Sequence, residues 1–383
     1  MCFSLSKKIR SFSLLFRLHC FIFLFCISKL PAAKTTTVLM PKSSVTSILS
    51  CSVNYSGNYE IGATGTWTSI TSALADLRTC MTGSVMLELQ ASYNCTVETY
   101  PLNFSGLPTT ATNSLVIRPK SGISSVMTLS ASASPAVLYF DGTDYVYIDG
   151  RPGGVGSSSL TIENTNTAAG AAMTFSNDAT YNTVSYCTLK SNYGSYQSGV
   201  IMFGDGTSLG NSYNTIDNCV IDGTSTAADP SDSNAAENGI YSATTNTTLP
   251  SNTNTVQYSE FKNIFVALSG HTTTRGIFLS SGNNSWTLKN NYFYDVVTRS
   301  PAGSQNPTHC SIEITSGDGY VIEDNQMGGN DKSMTGNWTV TISSSYSLYF
   351  NYNALKLTLN NTNTSYIRRN VIKKMAFTSY HSS

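Results

Sequence analysis

Charged residues are scarce in this chain of 383 residues. Asp, Glu, Lys and Arg together make up 11% of the sequence, less than half of the roughly 25% that is typical of soluble domains. The 22 acidic and 22 basic residues also cancel, so the composition gives no basic face for the phosphates of nucleic acid. Because 40% of the residues are hydrophobic, the chain can still bury a core, and the composition is not that of a disordered protein.

Long apolar runs are absent beyond residue 28. The run at 13–28 follows a positively charged start, is interrupted by Arg17 and His19, and precedes small residues at 30–34. This order predicts a secretory signal peptide over residues 1–33. A membrane anchor is the alternative, but it needs ~20 unbroken apolar residues. We therefore expect a secreted or cell-surface protein with no membrane span in the mature chain.

Closely spaced cysteine pairs are also missing. Three of the nine cysteines leave with the signal peptide, and the six that remain contain no CxxC pair: Cys51, Cys80, Cys95, Cys187, Cys219 and Cys310. The sequence therefore predicts no zinc or other metal site and no cofactor. Disulfides are an alternative after export, but we expect most of these thiols to be small buried apolar groups.

The chain does contain an internal repeat. The phrases "NTVSYCTLKS" (182–191), "NTIDNCVIDG" (214–223) and "NTVQYSEFKN" (254–263) are near-copies. Aligned on their first aliphatic residue, they extend into a column with spacings of 32, 40, 32, 34 and 45 residues: Val184, Ile216, Val256, Leu288, Ile322 and Ile367. Two further columns follow three and five residues later, one of Cys, Ser and Asn (Cys187, Cys219, Ser259, Asn291, Asn325 and Asn370) and one of apolar residues (Leu189, Ile221, Phe261, Phe293, Met327 and Ile372).

A second set of short apolar phrases lies between the copies, from "GVIMF" (199–203) to "ALKLT" (354–358). Each repeat thus holds two or three short strands and no helical period. Such a unit buries its apolar face only by stacking on its neighbours. The pattern predicts an all-β solenoid, a parallel β-helix, with the Cys/Ser/Asn column at a bend where Asn can bond neighbouring backbone. A β-propeller is the alternative, but its tight hairpin signals are missing.

One helix precedes the repeats. Residues 68–81 carry a one-sided apolar stripe with Thr66 or Thr68 as the N-cap, and 84–90 is expected to be the first strand. We expect the amphipathic helix to cap one end of the coil. The domains are then a linker at 34–54 and a β-helix at 55–383, which we expect to be incomplete at its C-terminus because the last residues are still in repeat.

Several phrases carry a family resemblance. "YEIGATGTWTSITSALADL" (59–77), "YVYIDGRPGG" (145–154), "NTIDNCVI" (214–221) and "NGIY" (238–241) resemble right-handed parallel β-helix repeat proteins of the pectin-lyase-like fold exported by Bacteroidetes-type bacteria. The resemblance spans about 55 to 375. It implies a right-handed coil and export, often with a type IX sorting domain that is absent here, and it names no activity.

Candidate catalytic groups are few. Polysaccharide lyases and glycosidases of this fold would need carboxylates stacked on adjacent coils, but the outward column Lys190, Asp222, Lys262, Tyr294, Gly328 and Lys373 holds one acid. Asp141, Asp144 and Asp149 are explained by turns. His271 and His309 lie in loop-like segments without a nucleophile-and-base pattern. No catalytic residue is predicted.

The outward positions of the second phrase point to binding instead. They read Ile201, Tyr241, Phe278, Glu313 and Lys356. We expect Tyr241, Phe278 and Glu313 to form a lateral face for a polysaccharide or cell-surface glycan, because aromatic rings offer apolar faces to sugars. Loops folding over these rings would bury them instead. The sequence therefore favours non-catalytic adhesion or carbohydrate binding, with a polysaccharide lyase or glycoside hydrolase and a purely structural spacer as alternatives.

Overall fold

A computed structural model describes residues 51, 53–226, 235–266, 272–301, 306–342 and 349–379. The predicted signal peptide and His271 lie outside these residues. Within the described part, no helix is long and apolar enough to cross a bilayer.

Three parallel sheets form the body of the protein. Sheet I has ten strands: Tyr55–Ile61, Met81–Leu89, Leu115–Pro119, Val146–Asp149, Thr183–Ser185, Thr215–Asp217, Thr255–Gln257, Thr287–Lys289, Val321–Glu323 and Tyr366–Arg368. Sheet II has eight: Met127–Ala131, Leu160–Asn164, Cys187–Ser191, Val220–Asp222, Glu260–Lys262, Tyr292–Tyr294, Gln326–Met327 and Val371–Ile372. Sheet III has eight: Leu102–Asn103, Ala136–Asp141, Ala171–Ser176, Ile201–Phe203, Asn238–Ser242, Thr273–Leu279, Thr308–Ile314 and Asn351–Leu357.

Two small pairs complete the described strands: Ser251–Asn252 with Asn283–Asn284, and Trp338–Ile342 with Met375–Ser379. Most coils contribute one strand to each main sheet, and each strand inside a sheet pairs with its equivalents one coil before and after. Stacked parallel sheets of this kind are those of a parallel β-helix.

The register confirms the columns that the repeat predicted. Val184 pairs with Ile216, Ile216 with Val256, and so on to Ile367. The second apolar column runs from Leu189 to Ile372 in sheet II in the same way. Inward positions alternate with outward ones because side chains of a strand point to opposite faces. The two columns therefore line one continuous core, except for their exposed last members Ile367 and Ile372.

Aromatic rings stack within this core. Phe140, Phe175 and Phe203 lie on successive coils of sheet III, with ring centroids 4.6 and 4.5 Å apart and near-parallel planes. Phe261 and Phe293 stack at 4.7 Å in sheet II. These separations match the ~4.8 Å strand spacing, so each buried ring packs against its copy on the next coil.

Asparagine ladders close two of the bends. In the predicted column, Asn291 Nδ2 and backbone N both donate to Asn325 Oδ1, at 3.1 and 3.0 Å, and Asn325 donates to Asn370 in the same way. A second ladder of Asn182, Asn214 and Asn254 lies at the other end of the sheet I strands. Buried amides that bond one another also satisfy the backbone of the bend.

The first strand of the N-terminal region differs from the sequence prediction. The strand Tyr55–Ile61 precedes the helix and pairs with Met81–Leu89, so 84–90 is not the first strand. The alternation of apolar and polar residues in this strand is obscured by its short polar start and by Gly57, which has a φ of +95°.

The helix α1 spans Ile70–Cys80, with Ser69 as its N-cap, in place of the predicted Thr66 or Thr68. The carboxylate of Glu98 also accepts the N–H groups of Ile70 and Thr71, which occupies two of the free donors at this helix terminus. The helix buries Leu74 and Leu77 against the core.

The cysteines divide into two groups. Cys51 and Cys80 form a disulfide that ties the end of α1 to the chain before the first strand. Cys187, Cys219 and Cys310 are buried free thiols, and Cys95 is half-buried. Burial raises the pKa of Cys219 and of Cys310 to about 12, so these two thiols are neutral packing groups at physiological pH.

Candidate functional site

The predicted binding residues lie in one column of sheet III. Tyr241 pairs with Phe278, Phe278 with Glu313, and Glu313 with Lys356. The rings of Tyr241 and Phe278 are 5.5 Å apart at an angle of 58°. The structure thus brings the three predicted residues together on successive coils.

Neighbouring side chains cover this column. Tyr241 and Phe278 are 8% and 9% exposed. The Arg275 guanidinium lies 4.2 Å from the centre of the Phe278 ring and forms an ion pair with Glu313, to which Lys356 also binds. Burial acts to raise the pKa of Glu313, but the hydrogen bonds from Lys356 and Arg275 outweigh it and hold this pKa below its usual value. The rings offer a ligand little free surface in this conformation.

The position of Ile201 in this column is a correction. Ile201 pairs with Ile240 and is fully buried, whereas Met202 is the residue that pairs with Tyr241. The sequence alignment matched Gly199 to Gly239 and so placed the phrase one residue out of register. A slip of one residue moves a side chain to the other face of the sheet.

A second aromatic column lies on the surface, at the edge of sheet I. The rings of Tyr145, Tyr181 and Tyr213 stack on successive coils, with centroids 5.2 and 4.8 Å apart and planes within 3° of parallel. Tyr181 and Tyr213 are 43% and 48% exposed. We call these three residues the tyrosine ladder.

The backbone of the tyrosine ladder is strained. Tyr145, Tyr181 and Tyr213 have φ of +56°, +56° and +60°, a region that large side chains rarely adopt and that Gly or Asn enters at lower cost. The column at the other end of the same strands has both tyrosine, Tyr186 and Tyr258, and asparagine, Asn218 and Asn290, at such positions. Backbone conformation alone therefore does not require tyrosine, and the tyrosine ladder differs from the other column in that its three rings stack without interruption.

Polar groups surround the tyrosine ladder. A threonine column on the outward face of sheet I runs beside it: Thr183, Thr215, Thr255 and Thr287. Asp144, next to Tyr145, accepts hydrogen bonds from the backbone and hydroxyl of Thr180. Burial by its neighbours raises the pKa of the Tyr181 hydroxyl, and Tyr213, Tyr145 and Asp144 add to the effect, so this hydroxyl is neutral at physiological pH.

A small cavity lies further along the same edge. It has a volume of about 230 Å³, and uncharged residues line it: Thr247, Ser281, Gly282, Asn283, Asn284, Ser316, Gly317 and Asn360. Hydroxyls, amides and exposed backbone are groups that hydrogen-bond neutral polar ligands.

Acidic residues at the turns and on the outward faces of the strands are engaged in local contacts. Asp149 pairs with Arg151, and Glu323 with Arg368 and Arg369. Asp141 accepts from Asn177 Nδ2 and Asp217 from Gln257 Nε2. Among the residues that the structure covers, no group of three or more His, Cys, Asp or Glu is placed to hold a metal ion.

His309 is not in a loop, as the sequence suggested, but in the strand Thr308–Ile314. It is 3% exposed, its Nδ1 lies 3.0 Å from Thr274 Oγ1, and Trp338 packs edge-on against its ring. Burial lowers the pKa of His309 to about 3. The ring is therefore a neutral part of the packing.

Sequence reasoning missed the tyrosine ladder, although a signal was present. Tyr181 and Tyr213 stand directly before the Asn that opens two of the repeated phrases. The third phrase has Thr253 at this position, which interrupts the pattern, and Tyr145 belongs to a coil without the phrase.

Comparison with known proteins adds no assignment. The chain matches no protein-family model, no curated protein and no solved structure.

Proposed function

We propose that this protein is a secreted or cell-surface β-helix that binds carbohydrate through one lateral face and performs no catalysis. The observation that carries the proposal is the tyrosine ladder, which exposes aligned aromatic rings beside a column of threonines. Stacking covers both faces of Tyr181, so the ladder offers a sugar the outer face of its end ring Tyr213 and the hydroxyls along its edge. A ring face packs against the apolar face of a sugar, while hydroxyls and amides bond its polar rim. The Cys51–Cys80 disulfide supports a location outside the cytoplasm.

Two finer features of the fold belong to this proposal. A right-handed coil is supported by the handedness of parallel strand crossovers, about 98% of which are right-handed. A capping role for α1 is supported by its buried apolar face, which joins the same core as the first strands. Both would give a rigid support for the ladder.

The test compares two candidate surfaces in one glycan-array experiment. We expect the double variant Tyr181→Asn with Tyr213→Asn to lose the glycans that the parent protein binds, while its circular dichroism stays unchanged, because Asn suits the left-handed backbone. The double variant Tyr241→Ala with Phe278→Ala tests the sheet III column. Loss of binding in this second variant alone, with intact folding, would move the site to that column.

Catalysis is tested separately. We expect no release of reducing or unsaturated ends when the protein is incubated with neutral or acidic polysaccharides. Release that grows with time and protein concentration would contradict the proposal of a non-catalytic protein.

A further inference from the structure

The tyrosine ladder stops at Tyr213, although the column that carries it continues. The next two positions are Thr253 and Ser285, whose φ values of +54° and +57° match that of Tyr213. The backbone confirms the succession: the N–H of Tyr213 donates to Asn252 O, and the N–H of Thr253 donates to Asn284 O. The free face of the Tyr213 ring therefore looks toward a coil with a small side chain. We call this space above Thr253 the vacant rung.

The vacant rung has the thickness of one ring. The rungs of the ladder are 5.2 and 4.8 Å apart, and the next coil follows at ~4.8 Å. A ring placed there would stack on Tyr213 at the separation that its own neighbours use. Thr253 is exposed, so a ligand reaches this position from solvent.

The uncharged cavity continues the same edge. Asn284, whose carbonyl accepts the Thr253 N–H, is one of its lining residues. Asn284 is paired with Asn252, which bonds Tyr213 in turn. The cavity thus begins about two coils from Tyr213, a distance of ~10 Å.

Charge along this edge disfavours an anionic ligand. Asp144 lies beside the start of the ladder, and the N–H of Asp318 donates to Asn284 Oδ1 at the cavity. The Asp318 carboxylate accepts hydrogen bonds from Thr362 and Asn363, and these bonds, led by the one from the Asn363 side chain, lower its pKa. Fixed negative charge at both ends repels uronate groups.

We propose that the ligand is a neutral, linear glycan that lies along this edge parallel to the coil axis, with one pyranose ring in the vacant rung on Tyr213 and the following sugars over the uncharged cavity. This inference rests on the proposed function and deepens it, because it gives the class of glycan and its position. The free ring face of Tyr213 supplies the apolar contact, and Thr253, Asn284 and Asn360 supply hydrogen-bonding groups to the sugar hydroxyls.

The experiment fills the vacant rung. Thr253→Tyr places a fourth ring at a left-handed position that Tyr213 shows to accept tyrosine, and we expect it to weaken glycan binding roughly tenfold or more. The matched control is Asn290→Tyr, which adds a tyrosine after Tyr258 at φ +54° in the column at the other end of the same strands. Tyr213→Asn provides a second route, because it removes the platform without filling the space.

Binding is measured by calorimetry with hexasaccharides of neutral β-1,4-glucan, β-1,4-mannan and β-1,4-xylan, and with a galacturonan hexasaccharide. We expect at least one neutral probe to bind, with binding reduced by Thr253→Tyr and by Tyr213→Asn and unchanged by Asn290→Tyr. Unchanged or tighter binding to Thr253→Tyr would overturn the vacant rung while leaving carbohydrate binding intact. Preference for galacturonan would overturn the neutral class, and no binding to any probe by the parent protein would overturn both this inference and the function on which it rests.

Discussion

At the scale of the residue, His309 shows how far the fold changes the chemistry of a side chain. A histidine with an ordinary pKa near 6.5 would titrate close to physiological pH, but burial lowers the pKa of His309 to about 3, and the positive charges of Arg299 and Arg275 act in the same direction. Its ring packs against Trp338 at 4.7 Å. The protonated form therefore belongs to the unfolded chain.

The stability of the protein should therefore decrease as the pH is lowered. Because the folded pKa is lower than the unfolded one, His309 favours folding fully above about pH 6.5, and this contribution is lost as the pH falls toward 3. Between pH 7 and pH 4 we expect a loss of roughly 3 kcal/mol from this residue alone. Urea unfolding of the parent protein and of His309→Phe, which keeps a ring but cannot titrate, measures the difference. An equal pH dependence in both proteins would contradict the assignment.

The residue scale is also where sequence reasoning both succeeded and failed. Columns of like residues predicted the register from Val184 to Ile367, because equivalent positions of a stacked repeat carry similar residues. Ile201 was placed on the wrong face, since a glycine match gave no indication of a one-residue slip. Phe278 is covered by Arg275 of its own strand, which pairs with Glu313 on the next coil. Patterns in a single sequence carry no information on such side-chain contacts.

At the scale of the element, the bends hold the coils in register. Asn214 is 1% exposed; its Oδ1 accepts from the N–H and Nδ2 of Asn182, and its Nδ2 donates to Ala179 O and Asn254 Oδ1. The sequence predicted that asparagine would occupy a bend, and the column Asn291, Asn325, Asn370 confirms it. The second ladder opens the repeated phrases themselves, where Asn182, Asn214 and Asn254 were read as part of the phrase but not as a bend.

Removing one amide from this ladder should lower the unfolding free energy by more than the hydrogen bonds of that residue contribute. Asn214→Ala leaves buried donors of Asn182 and the carbonyl of Ala179 without their partner, so we expect a loss of roughly 2–4 kcal/mol of unfolding free energy. Asn361→Ala, at an exposed position, is the matched control and should change stability by less than about 0.5 kcal/mol. Equal effects of the two substitutions in chemical denaturation would show that the ladder does not stabilise the bend.

At the scale of the whole molecule, the stacked architecture makes the cost of a mutation depend on its coil. Ile221 and Ile372 belong to the same column of sheet II and carry the same side chain. Ile221 is fully buried between Leu189 and Phe261, whereas Ile372 is 56% exposed because one of its two column neighbours is lacking among the described strands. The repeat predicted both residues as equivalent core positions, and only the structure shows that they differ, since burial depends on the coils on both sides.

We therefore expect one substitution to have two outcomes. Ile221→Ala should lower the unfolding free energy by roughly 2–5 kcal/mol, because it removes buried apolar surface and leaves a cavity between packed rings and aliphatic groups. Ile372→Ala should cost less than about 1 kcal/mol, because water already contacts half of this side chain. Urea titrations of both variants, with hydrogen exchange to locate where protection is lost, measure the gradient along the stack. A solenoid is stabilised by interactions between nearest neighbours, so Ile221→Ala should expose amides first in its own and the adjacent coils; equal costs for the two variants, or a uniform loss of protection, would contradict a stack that is held together coil by coil.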